Sequence, residues 1–285
     1  MRVAVTGASG FLGRYVLKEL ASSPHLQIVA TSRTNRDFGR PHPAVRVVEL
    51  DLASPPADSY ERLGRPELLV HLAWSGLPNY RSTAHFENQL SQQYRFLRGL
   101  VEAGLPSLLC TGTCFEYGMR SGELDESMCS DPANPYGYAK DALRRQLQFL
   151  RAARPFQLTW TRLFYMFGEG QPASSLYPAV MAAIERGDES FPMSPGDQLR
   201  DYLHVSEVSR NIAALALRAP DSGIVNVCSG KPVAIRSLVA GWLRERGSPM
   251  RLDLGRYPYA DHEPMAFWGS ARRLSSLLGA SAGTP

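Results

Sequence analysis

The chain has 285 residues, 44% of them hydrophobic and 20% charged, and its 31 basic and 27 acidic side chains leave a net charge of +4. That length suits one large α/β body or a body with a lobe, and without a basic block no nucleic-acid partner is expected. No apolar run approaches the ~18 residues of a membrane span, a core strand beginning at residue 2 leaves no room for a leader, and the four cysteines lack zinc spacing. A cytoplasmic protein with reduced thiols, no metal and no membrane contact is expected.

The first element is the apolar run Val3-Ala4-Val5, followed at once by Gly7-Ala8-Ser9-Gly10-Phe11-Leu12-Gly13. Helical spacing of Phe11, Leu12, Tyr15, Val16 and Leu20 comes next. Strand, glycine turn and helix in that order let a backbone approach a pyrophosphate, which the helix N-terminus then faces. Further strands are expected at 27–31, 45–50, 68–72, 107–110, 158–163 and 224–227, with helices at 11–20, 86–103, 136–153, 206–218 and 235–246. Strands separated by helix-sized segments imply parallel crossovers and an α/β, Rossmann-type doubly wound sheet. From about Tyr165 the alternation breaks into Pro- and Gly-punctuated stretches. Residues 1–164 are therefore expected to form the NAD(P)-binding domain, which also receives the strand near 224–228. Residues 165–285 form mainly a smaller substrate-binding lobe, interleaved with the first.

At the end of the second strand stands Arg33, beside Ser32 and near Arg36. An acidic residue there would bind the ribose hydroxyl of NAD. Arginine with a hydroxyl suits a 2′-phosphate, so NADP(H) is expected in preference to NAD.

The chemistry points to Tyr136-Gly137-Tyr138-Ala139-Lys140, with Thr113 upstream. Spacing of i, i+4 on a helix puts Tyr136 and Lys140 on one face. A phenol titrates near 10 and is a poor acid–base at neutral pH unless an ammonium beside it favours the phenolate. A hydroxyl such as Thr113, at a strand end, can hold a substrate carbonyl beside the phenol.

With these pieces in order, the chain resembles the extended short-chain dehydrogenase/reductases, in their nucleotide-sugar epimerase/dehydratase branch. The resemblance rests on the Gly7-x-x-Gly10-x-x-Gly13 loop, Asp51-Leu52, His71-Leu72-Ala73, Thr113 before Tyr117-Gly118, and Asn134-Pro135-Tyr136-Gly137-Tyr138-Ala139-Lys140. Arg200-Asp201-Tyr202-Leu203-His204-Val205 and Asn226-Val227-Cys228-Ser229-Gly230 complete it. It implies Thr113, Tyr136 and Lys140 as the catalytic set, with Lys140 also on the nicotinamide ribose. It implies cofactor contacts from Gly7, Ser9, Gly10, Phe11, Leu12, Gly13, Asp51, Leu52, Leu72, Ala73, Asn88 and Leu163. Arg200 and the Tyr165 position would meet the diphosphate of a sugar nucleotide, and Trp74, in the loop 74–85, is placed to meet the sugar.

Two departures sharpen the reading. Dehydratases of this family carry an acidic pair just after the threonine; here Cys114 and Phe115 follow, and Glu116 is displaced to the opposite face if the stretch is extended. At Tyr165 relatives usually have asparagine. The expected activity is therefore NADPH-dependent reduction of a nucleotide-activated 4-keto-6-deoxy sugar. A nucleotide-sugar 4-epimerase using bound NAD(P), or a non-catalytic dinucleotide-binding sensor or scaffold, are the alternatives. Helices 86–103 and 136–153 carry apolar positions beyond one core stripe, among them Leu90, Tyr94, Leu97, Leu143, Leu147 and Leu150. By the resemblance these helices pair across a two-fold axis, giving a homodimer through a four-helix bundle.

Overall fold

The computed structural model describes residues 1–33, 42–259 and 263–279. The chain opens with β1 (Arg2–Thr6), α1 (Phe11–Ala21), β2 (Gln27–Ser32), β3 (Val45–Glu49), α2 (Ser59–Arg62) and β4 (Leu68–His71). A π-helical turn (His85–Gln89) leads into α3 (Leu90–Glu102) and β5 (Ser107–Thr113). A 3-10 turn (Cys114–Tyr117), β6 (Gly122–Leu124), α4 (Pro135–Ala153), β7 (Gln157–Leu163) and β8 (Tyr165–Phe167) follow. Next are α5 (Leu176–Arg186), β9 (Ser190–Met193), β10 (Leu199–His204), α6 (Val205–Arg218) and β11 (Gly223–Val227). The described chain closes with β12 (Pro232–Ala234), α7 (Ile235–Glu245), β13 (Arg251–Leu254), β14 (Phe267–Gly269) and α8 (Arg272–Leu278).

Among the described residues a seven-stranded parallel sheet runs in the order β11-β7-β5-β4-β1-β2-β3. Its central strands are buried along their length, as β4 shows with four buried residues out of four, because helices cover both faces, while the edge strand β3 carries Arg46 and Glu49. On one face Val16 and Leu20 of α1 pack with Ile212 and Leu215 of α6 and Leu274 of α8. On the other, Phe96, Leu97 and Leu100 of α3 pack with Leu143 and Leu147 of α4. The chain winds outward from β1 to β3, then crosses back to β4 on the other side of β1. That reversal leaves a crevice at the carboxyl ends of β1 and β4, where ligands of such sheets bind. Smaller sheets, β12-β10-β8, β13-β9 and β14-β6, and a cluster of Val180, Val239 and Trp242 build the remainder.

Two local differences from expectation shape the site. Strand β5 does not end at Cys110 but runs on through Thr113, every residue buried. The helix expected from Phe86 starts instead with the π turn, whose wider winding shifts the face presented by the residues after it. The apolar surplus on α3 and α4 also finds its explanation inside the chain. Leu97, Leu143 and Leu147 are fully buried and Leu150 nearly so, in the core under the sheet, with Leu90 and Tyr94 packed against it. The aromatic residues left exposed there are Phe86, Tyr138 and Phe149.

Candidate active site

A cavity of about 910 Å³ follows the crevice from the glycine loop past Asp51 to Tyr136. Gly7 turns the chain out of β1 with φ +69°, and a β-carbon there would lie 2.7 Å from the Ala73 nitrogen. One on Gly13 would run into the Gly7 carbonyl oxygen, so this glycine lets α1 sit against the loop. The loop is a cradle that side chains would fill, which fits a dinucleotide pyrophosphate at the helix N-terminus. Ser9, Gly10, Phe11, Leu12, Ser32, Arg33, Asp51, Leu52, Leu72, Ala73 and Leu163 line the same cavity. The Asp51 carboxylate also accepts from the Ala53 amide at 3.0 Å, closing its own turn.

Helix α4 begins with the signals that fix its first turn. The Asn134 side chain accepts from the Gly137 amide at 2.8 Å and Pro135 follows it. This places Tyr136 and Lys140 on the helix face toward the carboxyl end of β5, where Thr113 lies; all three line the cavity. The Tyr136 ring is enclosed by His85 at 5.3 Å, Tyr80 at 5.5 Å, Trp74 at 6.1 Å and Phe115 at 6.4 Å. Burial raises its phenol well above 10, Tyr80, Glu116 and Cys114 add to this, and a hydrogen bond with Thr113 draws it partly back. Burial thus favours the protonated phenol over the phenolate expected from Lys140. The reason lies in where the lysine goes: its Nζ donates to the Thr111 carbonyl at 2.9 Å and lies 6.0 Å from the Tyr136 ring centre. Burial pulls Lys140 down to about 8, against the opposite pull of Cys110 and Glu116.

Glu116 is where the extended-chain reading fails. Residues 114–117 form a turn, and Glu116 is its third position in a capping box: Thr113 Oγ1 accepts from the Phe115 amide, and Glu116 accepts from the Thr113 amide at 2.9 Å. The fully buried carboxylate also takes Arg162 Nε at 2.8 Å and Trp160 Nε1 at 3.0 Å. It faces the core beneath β5 and β7. The signal was present in the sequence as Thr113-x-x-Glu116.

Two expected site residues, Asn88 and Arg200, are not brought into the cavity. Asn88 is exposed on the π turn, and Gln89, Gln92 and Gln93 face the cavity in its stead. Arg200 is buried, with Nη2 2.9 Å from Glu263, Nη1 on the Leu199 and Met265 carbonyls and its guanidinium 4.5 Å over the Phe267 ring. Arg36 lies outside the described residues. Tyr165 does line the cavity, but its hydroxyl donates to Glu263 at 2.7 Å. His71, fully buried, bonds Thr6 Oγ1 through Nδ1 at 2.8 Å and is a core residue. The four cysteines are free. No helix among the described residues is long and apolar enough to cross a membrane.

Glycine loop, switch-point cavity and the Thr113, Tyr136 and Lys140 arrangement define an oxidoreductase of the extended short-chain dehydrogenase/reductase type. Residues 3–228 match the model of the NAD dependent epimerase/dehydratase family, and the chain belongs to that family. It is 31% identical over 275 residues, 95% of this chain and 100% of the relative, to the dTDP-6-deoxy-L-talose 4-dehydrogenase (NAD(+)) of Aggregatibacter actinomycetemcomitans. It is 26% identical over 264 residues, 84% of this chain and 75% of the relative, to the UDP-glucose 4-epimerase of Azospirillum brasilense. Among solved structures, MoeE5 in complex with UDP-glucose and NAD superposes with a TM-score of 0.81 at 28% identity, covering 100% of this chain and 94% of MoeE5.

These likenesses overturn the expected NADP preference: the dehydrogenase relative is named for NAD(+), and MoeE5 holds NAD. The physical reason is in the strand end. Ser32 is buried, and Arg33 is exposed to water. Among the described residues Arg33 is the guanidinium at this strand end, and a water-exposed charge is screened.

Proposed function

We propose that the protein is an NAD(H)-dependent 4-dehydrogenase, acting in the reverse sense as a 4-ketoreductase, on a nucleoside-diphosphate-linked 6-deoxyhexose. The observation that carries this reading is the wall beyond Tyr136. Trp74, Leu77, Pro78, Tyr80 and Phe115 line it, and Glu116 is tied to Arg162. An apolar wall suits a C6 methyl group, and a Thr113 without a neighbouring acid–base pair suits hydride chemistry at C4 without loss of water. Bound NAD(H) supplies that hydride chemistry. The chain's own part is to orient and to move one proton: the Thr113 hydroxyl holds O4, Tyr136 delivers or takes its proton, and Lys140 binds the nicotinamide ribose. In this reading residues 1–164 hold the dinucleotide, and residues 165–285 close over the sugar nucleotide, with Tyr165 toward the diphosphate. The protein works in the cytoplasm as a homodimer through α3 and α4, whose contact must use exposed residues such as Tyr138 and Phe149.

The similarity to a UDP-glucose 4-epimerase supports a second reading, in which the same three residues oxidise and re-reduce one carbon. The test is purified protein with NADH and a dTDP-linked 4-keto-6-deoxyhexose. Loss of NADH in stoichiometric ratio to substrate is expected. Interconversion of 4-hydroxyl epimers without net NADH loss would replace the dehydrogenase reading by the epimerase one.

A further inference from the structure

We propose that Trp74 is a positioning residue for Lys140: its indole face holds the lysine as a cation against β5, and His85 holds the indole. This rests on reading Lys140 as the lysine of the catalytic helix. The Lys140 ammonium lies 4.1 Å from the centre of the Trp74 ring and is 2% exposed, with Thr111 as its carbonyl partner at 2.9 Å. A buried ammonium normally sits beside a carboxylate, yet Glu116 is bound to Arg162. Among the described residues Lys140 makes no ion pair. The aromatic face is what the chain supplies in place of an anion.

The indole is itself held. His85, 1% exposed, contacts the Asn79 carbonyl through Nε2 at 2.8 Å. A carbonyl only accepts, so Nε2 carries the proton and Nδ1 presents a lone pair. Into that lone pair the Trp74 Nε1–H donates at 3.1 Å, with the two rings inclined by 28°. The loop turns at Gly76, φ +88°, where a β-carbon would lie 3.2 Å from the imidazole. The Asn79 carbonyl thus fixes one tautomer of His85, the tautomer fixes the indole, and the indole caps the ammonium. The other titratable groups facing Lys140 are Cys110 on β5, Glu116 on the 3-10 turn, Tyr136 on its own helix and His71 at the end of β4. None of the four is itself altered by a substitution at Trp74.

The chain's composition makes this measurable without substrate. Its only lysines are Lys18, Lys140 and Lys231, and the first and last are exposed. The full chain, labelled with 13C at the lysine ε-carbon, therefore gives three signals whose pH titrations report each ammonium, two of them serving as internal references. Trp74→Leu is expected to lower the Lys140 midpoint by about one pH unit, a tenfold loss of proton affinity, the scale of a desolvated cation–aromatic contact. Trp74→Phe keeps a face and should recover at least half of that shift. His85→Gln can accept from the indole and donate to Asn79, and should titrate like the parent, whereas His85→Leu should move with Trp74→Leu. If Trp74→Leu fails to fold, His85→Leu against His85→Gln carries the same test. A Lys140 midpoint within about 0.2 of the parent in every folded variant overturns the proposal. Because neither cofactor nor sugar is present, this failure is separate from any failure of the dehydrogenase reading, which NADH turnover decides.

Discussion

Replacing Arg162 by methionine tests the brace beneath the site. Arg162 is 1% exposed and donates Nε to Glu116 at 2.8 Å, while the Tyr117 ring lies 4.2 Å from its guanidinium. Methionine fills much of the same space but leaves the fully buried Glu116 carboxylate with only the Trp160 and Thr113 N–H groups. Removing one partner of a buried ion pair costs about 3–5 kcal/mol, a large part of the ~5–15 kcal/mol that stabilises a domain. At about 2–4 °C per kcal/mol for a chain of this size, Tm should fall by roughly 6–20 °C. Adding Glu116→Gln removes the stranded charge, and the double variant should recover at least half of the loss. Thermal melts followed by circular dichroism decide the matter. An Arg162→Met protein melting within about 2 °C of the parent, or a double variant no more stable than the single one, refutes this account of the pair.

Tyr136→Phe removes the proton donor without disturbing the glycine loop; kcat on the accepted substrate should fall at least ~100-fold while NAD binding by calorimetry stays near that of the parent. Lys140 titrates at about 8 in the folded chain against an ordinary 10.5, so between those values the unfolded chain holds more protons. Stability should therefore rise with pH through about 8–10.5, by up to ~3 kcal/mol, relative to a Lys140→Met variant in parallel melts. Activity should fall over the same rise as the ammonium is lost. NAD should bind at least ~10-fold more tightly than NADP by calorimetric titration, a gap of about 1.4 kcal/mol, and the reverse order would restore weight to Arg33.

Local patterns carried most of the site. The apolar run before Gly7, the glycine spacing and the Asn134-Pro135 cap act within a few residues, so β1, its loop and the start of α4 are readable from sequence. Glu116 was equally readable, since a threonine and a glutamate three residues apart spell a capping box; assuming an extended chain turned it the wrong way. Asn88 was misplaced because the π turn inserts a shift that hydrophobic periodicity, counting 3.6 residues per turn, does not register. Arg200 and Tyr165 share one carboxylate, Glu263, more than sixty residues away from Arg200 in sequence. Nothing local announces such a partner. The leucines of α3 and α4 illustrate the same limit: periodicity shows that a position is apolar, not whether its cover comes from the same chain.

The order in which this chain is made conflicts with the order in which its core closes. Val3 and Val5 share one hydrophobic cluster with Val208, Ile212, Val225 and Leu274. At ~5–20 residues per second, the ribosome delivers Val208 roughly 10–40 s after Val3. Until then α1 covers β1 and β2 without α6 packed beside it, and the last apolar side chain arrives later still, on α8. The amino-terminal strands therefore complete this cluster only once the carboxy-terminal helices have been made.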